Sequence, residues 1–255
     1  MDGGCVCASP SPVSLCNYNT GKGTQINTMN EGIIIVNKPQ TWTSHDVVAK
    51  LRGVLHTKRI GHAGTLDPLA TGVLVVMVGR ATKQAQLLEA NDKSYTAGLK
   101  LGVSSNTYDI TGEISEAVEV NVTREELESV LEAFRGEISQ LPPIYSAIKV
   151  AGKPLYKYAR KGETVEIKPR NVTIKKLELK SFDGTNAVLE IDCTKGTYIR
   201  SLCHDIGAKL RVGGLMSSLV RTRSGIYTLE DSYTLEEIIS DVNENSYCTL
   251  LHNSI

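Results

Sequence analysis

The chain has 255 residues, 41% hydrophobic and 22% charged, with 28 Lys+Arg against 28 Asp+Glu and hence a net charge of zero. That length holds one large domain or two small ones, and the composition is ordinary for a water-soluble globular chain. The longest apolar runs, "GIIIV" and "GVLVVMVG", are strand-sized, which excludes a membrane-spanning helix.

Residues 1–28 are Ser, Thr, Gly, Asn and Cys with almost no aliphatic periodicity. Such a segment cannot bury enough apolar surface to offset its ordering entropy, so a disordered extension is expected there and a folded part over 29–255. The segment lacks the apolar stretch of a secretory signal and the arginines of a transit peptide, so a cytoplasmic location is expected. Cys5, Cys7, Cys16, Cys193, Cys203 and Cys248 fit no zinc-ligand spacing and read as reduced thiols.

"GIIIVN" reads as a buried strand, and "SHDVVAKLRGVLH" as a helix capped by Thr43 or Ser44, with Val47, Val48, Leu51, Val54 and Leu55 on one face. After a Gly-rich loop come a central strand "GVLVVMVG", a helix "ATKQAQLLEA" and an alternating strand "KSYTAGLKLGV". "TREELESVLEAF" is a helix with a Thr123–Glu126 capping box. "PIYSAIKVAGKPLYKYARKG" predicts a strand, a turn at Ala151-Gly152 and a short basic helix. Strands "NVTIKKLELKSF" and "AVLEIDCTKG", a helix "YIRSLCHDIGAKL", a strand through "MSSLVRTRSG" and a helix "TLEEIISDV" complete the chain. Strands and helices mix without strict βαβ repetition, which predicts an α+β fold with a mixed, largely antiparallel sheet.

Charge is segregated along this order. Residues 149–170 carry seven Lys/Arg against two Glu, and 195–223 carry six against Asp205, while nine acids lie between Asp109 and Glu137. Such segregation can build a basic face on a neutral protein, as a phosphate-bearing partner requires, or can intermix in three dimensions.

The loop "GHAGTLDPLATG" (61–72) holds one carboxylate, Asp67, among three glycines and a proline. Pro68 biases Asp67 toward an extended backbone, and the glycines allow positive φ or close backbone approach. Taken alone, the position suits a structural turn or a placed reactive group. Metal binding is disfavoured, because no second carboxylate or histidine cluster stands nearby in the sequence.

"GHAGTLDPLATGVLVVMVGRATK" resembles the signature of the TruB family of pseudouridine synthases. The resemblance extends through "GIIIVNKPQTWTSHDVV", "DKSYTAGLKLGVSSNTYDITGEI", "QLPPIYSAIKVAGKPLYKYARKGE", "IDCTKGTYIRSLCHDIGAKL" and "LVRTRSG", in the family's order over roughly residues 31–240. Asn37 and Asn106 stand where the family more often has aspartate, and Arg80 where it often has glutamate. The resemblance implies the pseudouridine synthase fold and isomerisation of uridine 55 in the T loop of transfer RNA. It implies no cofactor, no obligatory protein partner and a monomer. It also implies a C-terminal PUA-type RNA-binding domain in most members; the chain stops at about the point where that domain would begin, so its absence is expected.

By resemblance, Asp67 is the catalytic carboxylate and Arg200 of "GTYIRSL" its bidentate partner. Tyr95 of "DKSY" stacks on the flipped base, Tyr198 lines the same pocket and Leu219 closes it. His62 enters the T loop to fill the place of the extruded base, and Lys38, Lys83 and the basic stretch 149–170 contact phosphates. Two other readings are an RNA-binding protein that opens the T arm, and a guide-RNA-dependent synthase of the dyskerin type. A pure binder has no need of a carboxylate facing phosphates, and the dyskerin type relies on a PUA domain and partner proteins.

Overall fold

The run "GIIIV" lies in β1 (Gly32–Lys38), where strand periodicity splits its side chains: Ile34 and Val36 enter one apolar core, Ile33 and Ile35 another. β3 (Thr71–Val78) repeats the split, with Leu74, Val76 and Val78 on the first side and Val73, Val75 and Met77 on the second. Strands apolar at every position need cover on both faces, and both are covered. This is a computed structural model, and it describes residues 31–244 and 251–252; the extension expected over 1–28 lies outside them.

Four helices cover the first face: α1 (Ser44–Val54), α3 (Arg124–Glu132), α5 (Ile199–Lys209) and α6 (Leu235–Asn243). They contribute Val47, Val48 and Leu51, then Leu127 and Leu131, then Ile199, Leu202, Cys203 and Ile206, then Leu235 and Ile238. Over the second face lie a 3-10 segment (Gly79–Gln84) and α2 (Ala85–Glu89), through Ala81 and Leu88. Three helices begin with a capping box, Thr43–Asp46, Thr123–Glu126 and Thr234–Glu237, which satisfies backbone N–H groups that a helix start leaves free. Thr43 and not Ser44 is the cap of α1, because Ser44 turns inward to the 61–72 loop.

The remaining strands are β2 (Ile60–Ala63), β4 (Lys93–Leu101), β5 (Gly136–Gln140), β8 (Arg170–Phe182), β9 (Asn186–Cys193), β10 (Gly214–Ser224) and β11 (Tyr227–Thr228). The sheet runs β1-β3-β10-β4-β9-β8-β5, with β2 also on β3 and β11 on β10. β10 pairs β3 in parallel, Val220 beside Thr71 and Arg221 beside Gly72; every other pairing of the sheet is antiparallel. The fold is thus α+β with a mixed, largely antiparallel sheet, as the sequence predicts.

Several elements differ from that prediction, among them β11 and the four regions that follow. The helix expected over 81–90 is a 3-10 segment followed by one short α-turn: Gly79 turns the chain at φ 64°, and Thr82 Oγ1 donates back to the Gly79 carbonyl at 2.8 Å. The strand expected from Pro143 is only β6 (Lys149–Val150), paired with β7 (Lys153–Pro154) across the positive-φ turn Ala151-Gly152. Upstream, the carbonyls that would form its ladder are taken elsewhere, Ser146 O by Tyr156 N and Ile148 O by Leu155 N, at the start of α4 (Leu155–Ala159). β2 takes in Gly61, His62 and Ala63, which were expected in a loop; pairing along β3 imposes the strand on residues with little strand preference. β5 was not predicted, since along this edge strand only Ile138 is apolar.

Candidate active site

Asp67 sits just before β3, in a loop anchored at several points. Ser44 Oγ accepts the Leu66 N–H at 2.9 Å and approaches the Leu66 carbonyl as donor at 3.2 Å. The Thr41 N–H donates to Pro68 O and the Ala70 N–H to Asp67 O, at 2.8 and 3.0 Å. Gly72 has φ 98°, and a Cβ there would stand 2.3 Å from the Arg221 carbonyl, so only glycine allows β3 and β10 to meet at their parallel junction.

The anchored loop presents Asp67 to a cleft of about 770 Å³. Its walls bring together residues from three elements: Lys93 and Tyr95 from β4, Tyr198 and Arg200 at the start of α5, and Leu219 and Arg221 from β10. The volume lies within the roughly 300–1,000 Å³ of small-ligand sites and accommodates a nucleoside. Tyr198 is fixed through its backbone, since Gln140 donates to its carbonyl at 3.0 Å and accepts its N–H at 2.8 Å.

Arg200 Nε lies 2.9 Å from Asp67 Oδ2. The expected two-pronged fork is absent. Nη1 donates to Thr107 O at 3.1 Å and Nη2 to Tyr145 O at 2.9 Å, so the guanidinium is held by two loops and offers Asp67 one nitrogen. That Nε–H is not aligned as a hydrogen bond, and the contact is an ion pair. A second carboxylate, Asp109, stands 3.7 Å from Arg200 Nη1 through Oδ2. Its Oδ1 accepts from Thr111 N at 2.9 Å, Thr111 Oγ1 at 2.6 Å and Thr107 Oγ1 at 2.8 Å.

Burial pushes the Asp67 carboxyl above its ordinary pKa, and the Asp109 charge adds to the rise, while Arg200 and Lys38 oppose it. Burial likewise raises the phenols of Tyr95 and Tyr198. The result is a carboxyl that needs its cation in order to stay ionised.

Lys38, expected to contact phosphate, is wholly buried, with Nζ donating to Pro39 O at 2.8 Å and Trp42 O at 2.6 Å. Burial lowers its pKa to about 8. It fastens the turn before α1 and has no surface to offer RNA. Its sequence neighbours gave no sign of this, since a lysine after an apolar strand usually reaches solvent. Lys83 is exposed on the 3-10 segment. His62 stands half-buried on β2 and is not among the residues lining the cleft. Its Nδ1 finds no hydrogen-bond partner among the described residues, and burial lowers its pKa, which favours the neutral ring. In the basic stretch, Glu163 pairs with Lys153 at 2.6 Å and Lys161 at 3.7 Å, and Lys153 and Arg160 lie over the Tyr158 and Tyr156 rings. Three of the seven cations of that stretch are therefore internally engaged.

Two residues of the site were not singled out from sequence. Asp109 lies within "SSNTYDITGEI", and nothing in the sequence sets it apart from the other acids between 109 and 137. Arg221 was counted only as one charge of a basic stretch, yet it is 1% exposed. Only the alternation along "LVRTRS", which places Leu219 and Arg221 on one face of a strand, hinted at it.

Comparison with known proteins agrees with this geometry. The TruB family pseudouridylate synthase N-terminal domain model matches residues 52–199, and the tRNA pseudouridylate synthase B C-terminal domain model matches residues 200–252. The boundary between the two falls inside α5 and is no boundary of the fold, since β10 is a central strand of the one sheet. tRNA pseudouridine synthase B of Pseudomonas fluorescens (strain Pf-5) is 50% identical over 207 residues, 81% of this chain and 68% of that protein. The enzyme of the same name from Caldanaerobacter subterraneus subsp. tengcongensis is 51% identical over 210 residues, 82% of this chain and 74% of that protein. Among solved structures, a Cbf5–Nop10–Gar1 complex matches with TM-score 0.70 at 31% identity, covering 88% of this chain and 60% of that one. Two matched models that together span residues 52–252, and half-identical relatives over four-fifths of its length, show that the chain belongs to the TruB family of pseudouridylate synthases.

Proposed function

We propose that this chain converts uridine 55 in the T loop of transfer RNA to pseudouridine, with the uridine flipped into the cleft and Asp67 as the reacting carboxylate. The observation that carries this reading is Asp67, ion-paired with the buried Arg200 in a tyrosine-walled cleft whose other charged linings, Glu89 apart, are cations. The relatives of half-identical sequence are named for tRNA pseudouridylation, which supports the substrate class.

The reaction breaks the N1–C1′ bond, turns the uracil, and forms a C5–C1′ bond; C5 loses a proton and N1 gains one. No atoms enter or leave overall, so the chemistry calls for no cofactor. An ionised Asp67 acts as nucleophile or base on this route, and the buried Arg200 keeps it ionised against the cost of its surroundings. The Tyr95 ring offers a π-face to the uracil and Leu219 an apolar floor. His62, outside the cleft on β2 and favouring the neutral ring, suits the role of stacking in the gap left by the flipped base. Exposed Arg170 and Lys195 at the cleft rim, with Lys83, take the phosphate-contacting role that Lys38 cannot. A monomeric, cytoplasmic enzyme that acts on RNA without protein partners completes the reading.

The structural match to a Cbf5–Nop10–Gar1 complex favours a second reading, a guide-RNA-dependent synthase. Purified protein incubated with unmodified transfer RNA transcript separates the two. Pseudouridine at position 55 without added RNA or protein, and its loss when the transcript carries cytidine there, supports the proposal. Modification only in the presence of a guide RNA, or at other positions alone, overturns it.

A further inference from the structure

Arg221 is among the largest fully buried side chains of the fold, 1% exposed, and among the described residues it forms no salt bridge. Its Nε donates to Val73 O at 2.7 Å and Nη2 to Gly64 O at 3.1 Å. A buried guanidinium held by carbonyl dipoles, with no carboxylate paired to it among the described residues, is an expensive way to fill a core, and an apolar side chain of similar volume would serve stability better. The placement points to a reason other than stability. Val73 belongs to β3, Gly64 lies three residues before Asp67, and in the sheet register Arg221 stands directly opposite Tyr95. Arg221 and Tyr95 face the same cleft. The Arg221 charge also opposes the rise that burial causes in the Tyr95 phenol.

We propose that Arg221 is a positioning residue: one buried side chain, bonded to the Gly64 carbonyl at the root of the Asp67 loop and paired opposite Tyr95 across β10 and β4, sets the carboxylate and the phenol relative to each other. Arg221 itself stays under the surface and acts through Tyr95 and the loop. This rests on the cleft being the uridine-isomerising site.

Two measurements on the full chain test it. In the first, Tyr95 is replaced by 3-fluorotyrosine and its ionisation is followed by ¹⁹F NMR, with and without Arg221→Gln, which keeps a neutral amide donor for the carbonyls. Loss of the Arg221 charge is expected to move the ionisation midpoint upward. An unchanged midpoint overturns the proposal, whatever the protein catalyses. The second is a double-mutant cycle in single-turnover kcat. Arg221→Lys is expected to lower kcat about 10–100-fold with KM within about threefold, and to cost less than about threefold when Tyr95→Phe is already present. Equal losses in both backgrounds make Arg221 a structural residue and sink the proposal. If Arg221→Lys does not fold, Arg221→Gln carries the same cycle; failure of both to fold makes Arg221 a folding residue and also overturns it. Absence of any uridine isomerisation by the unaltered protein instead removes the functional reading, and the NMR titration still decides the link.

Discussion

Arg200 meets Asp67 with one nitrogen, Nε to Oδ2 at 2.9 Å, and spends the other two on the carbonyls of Thr107 and Tyr145. The ion pair is therefore aimed by backbone from two separate loops. A buried cation so placed lowers the free energy of the ionised carboxyl without covering the face that Asp67 turns to the cleft.

Arg200→Lys keeps the charge and loses the three-way reach. A lysine ammonium cannot hold both carbonyls and approach Asp67, so kcat should fall about 100-fold or more while RNA affinity changes by no more than a few-fold. Single-turnover rates and filter-binding affinities check this. A normal rate with weakened binding would assign Arg200 to a phosphate.

On the proposed route Asp67 reacts in its ionised form, and its pKa is raised, so the rate should fall with decreasing pH through a midpoint above the ordinary carboxylate range. Asp109 contributes to the rise by like charge. Asp109→Asn should therefore shift the acid limb to lower pH, because removing a negative neighbour favours ionisation of Asp67. A pH–rate profile under single-turnover conditions reads the shift, and movement toward higher pH would show that Asp109 acts mainly by orienting Arg200.

Lys38→Met should weaken the fold and leave RNA affinity almost untouched. The substitution leaves the Pro39 and Trp42 carbonyls without their donor in a buried turn, a loss of about 2–4 kcal/mol. Urea unfolding measures it. Burial holds the Lys38 pKa at about 8, below its unfolded value, so the unfolded chain binds the extra proton above that pH. The Lys38 contribution to stability accordingly rises with pH from about 8 toward the ordinary lysine value of 10.5, and this slope should vanish in Lys38→Met. A variant of normal stability with weakened RNA binding would contradict the buried role.

Gly72→Ala places a Cβ 2.3 Å from the Arg221 carbonyl at a φ of 98°. Both the contact and the backbone oppose it, and a loss of about 4 kcal/mol or more is expected. Because the clash is at the β3–β10 junction beneath the cleft, any folded fraction should also lose activity. A thermal midpoint equal to that of the unaltered protein would show that the strands can part at no cost.

Most of the fold was legible because it rests on local signals: two all-apolar strand runs, the Thr123–Glu126 capping box, and alternation in β4. β2 and β5 were missed because their strand character comes from pairing and not from their own residues. Gly61, His62 and Ala63 are a strand only beside β3. The site was legible in part. Asp67, Tyr95, Tyr198, Arg200 and Leu219 converge on one cleft from positions spread over 67–219, as the family resemblance implies. The direction in which a cation points was not legible. Lys38 and Arg221 are both charged residues on strands, and only the three-dimensional surroundings show that each is turned into the protein and satisfied by carbonyls. The second carboxylate, Asp109, is distant from Asp67 in sequence and meets it only through Arg200.

The central claim is that Asp67 carries the chemistry and not the grip on RNA. It is tested most directly by release of tritium from transfer RNA labelled at C5 of uridine, followed under single turnover for the unaltered protein and for Asp67→Asn. The asparagine keeps the shape and removes the charge, so release should fall to background while RNA affinity stays within several-fold. Substantial tritium release by Asp67→Asn, or its loss through failure to bind RNA, would contradict the account.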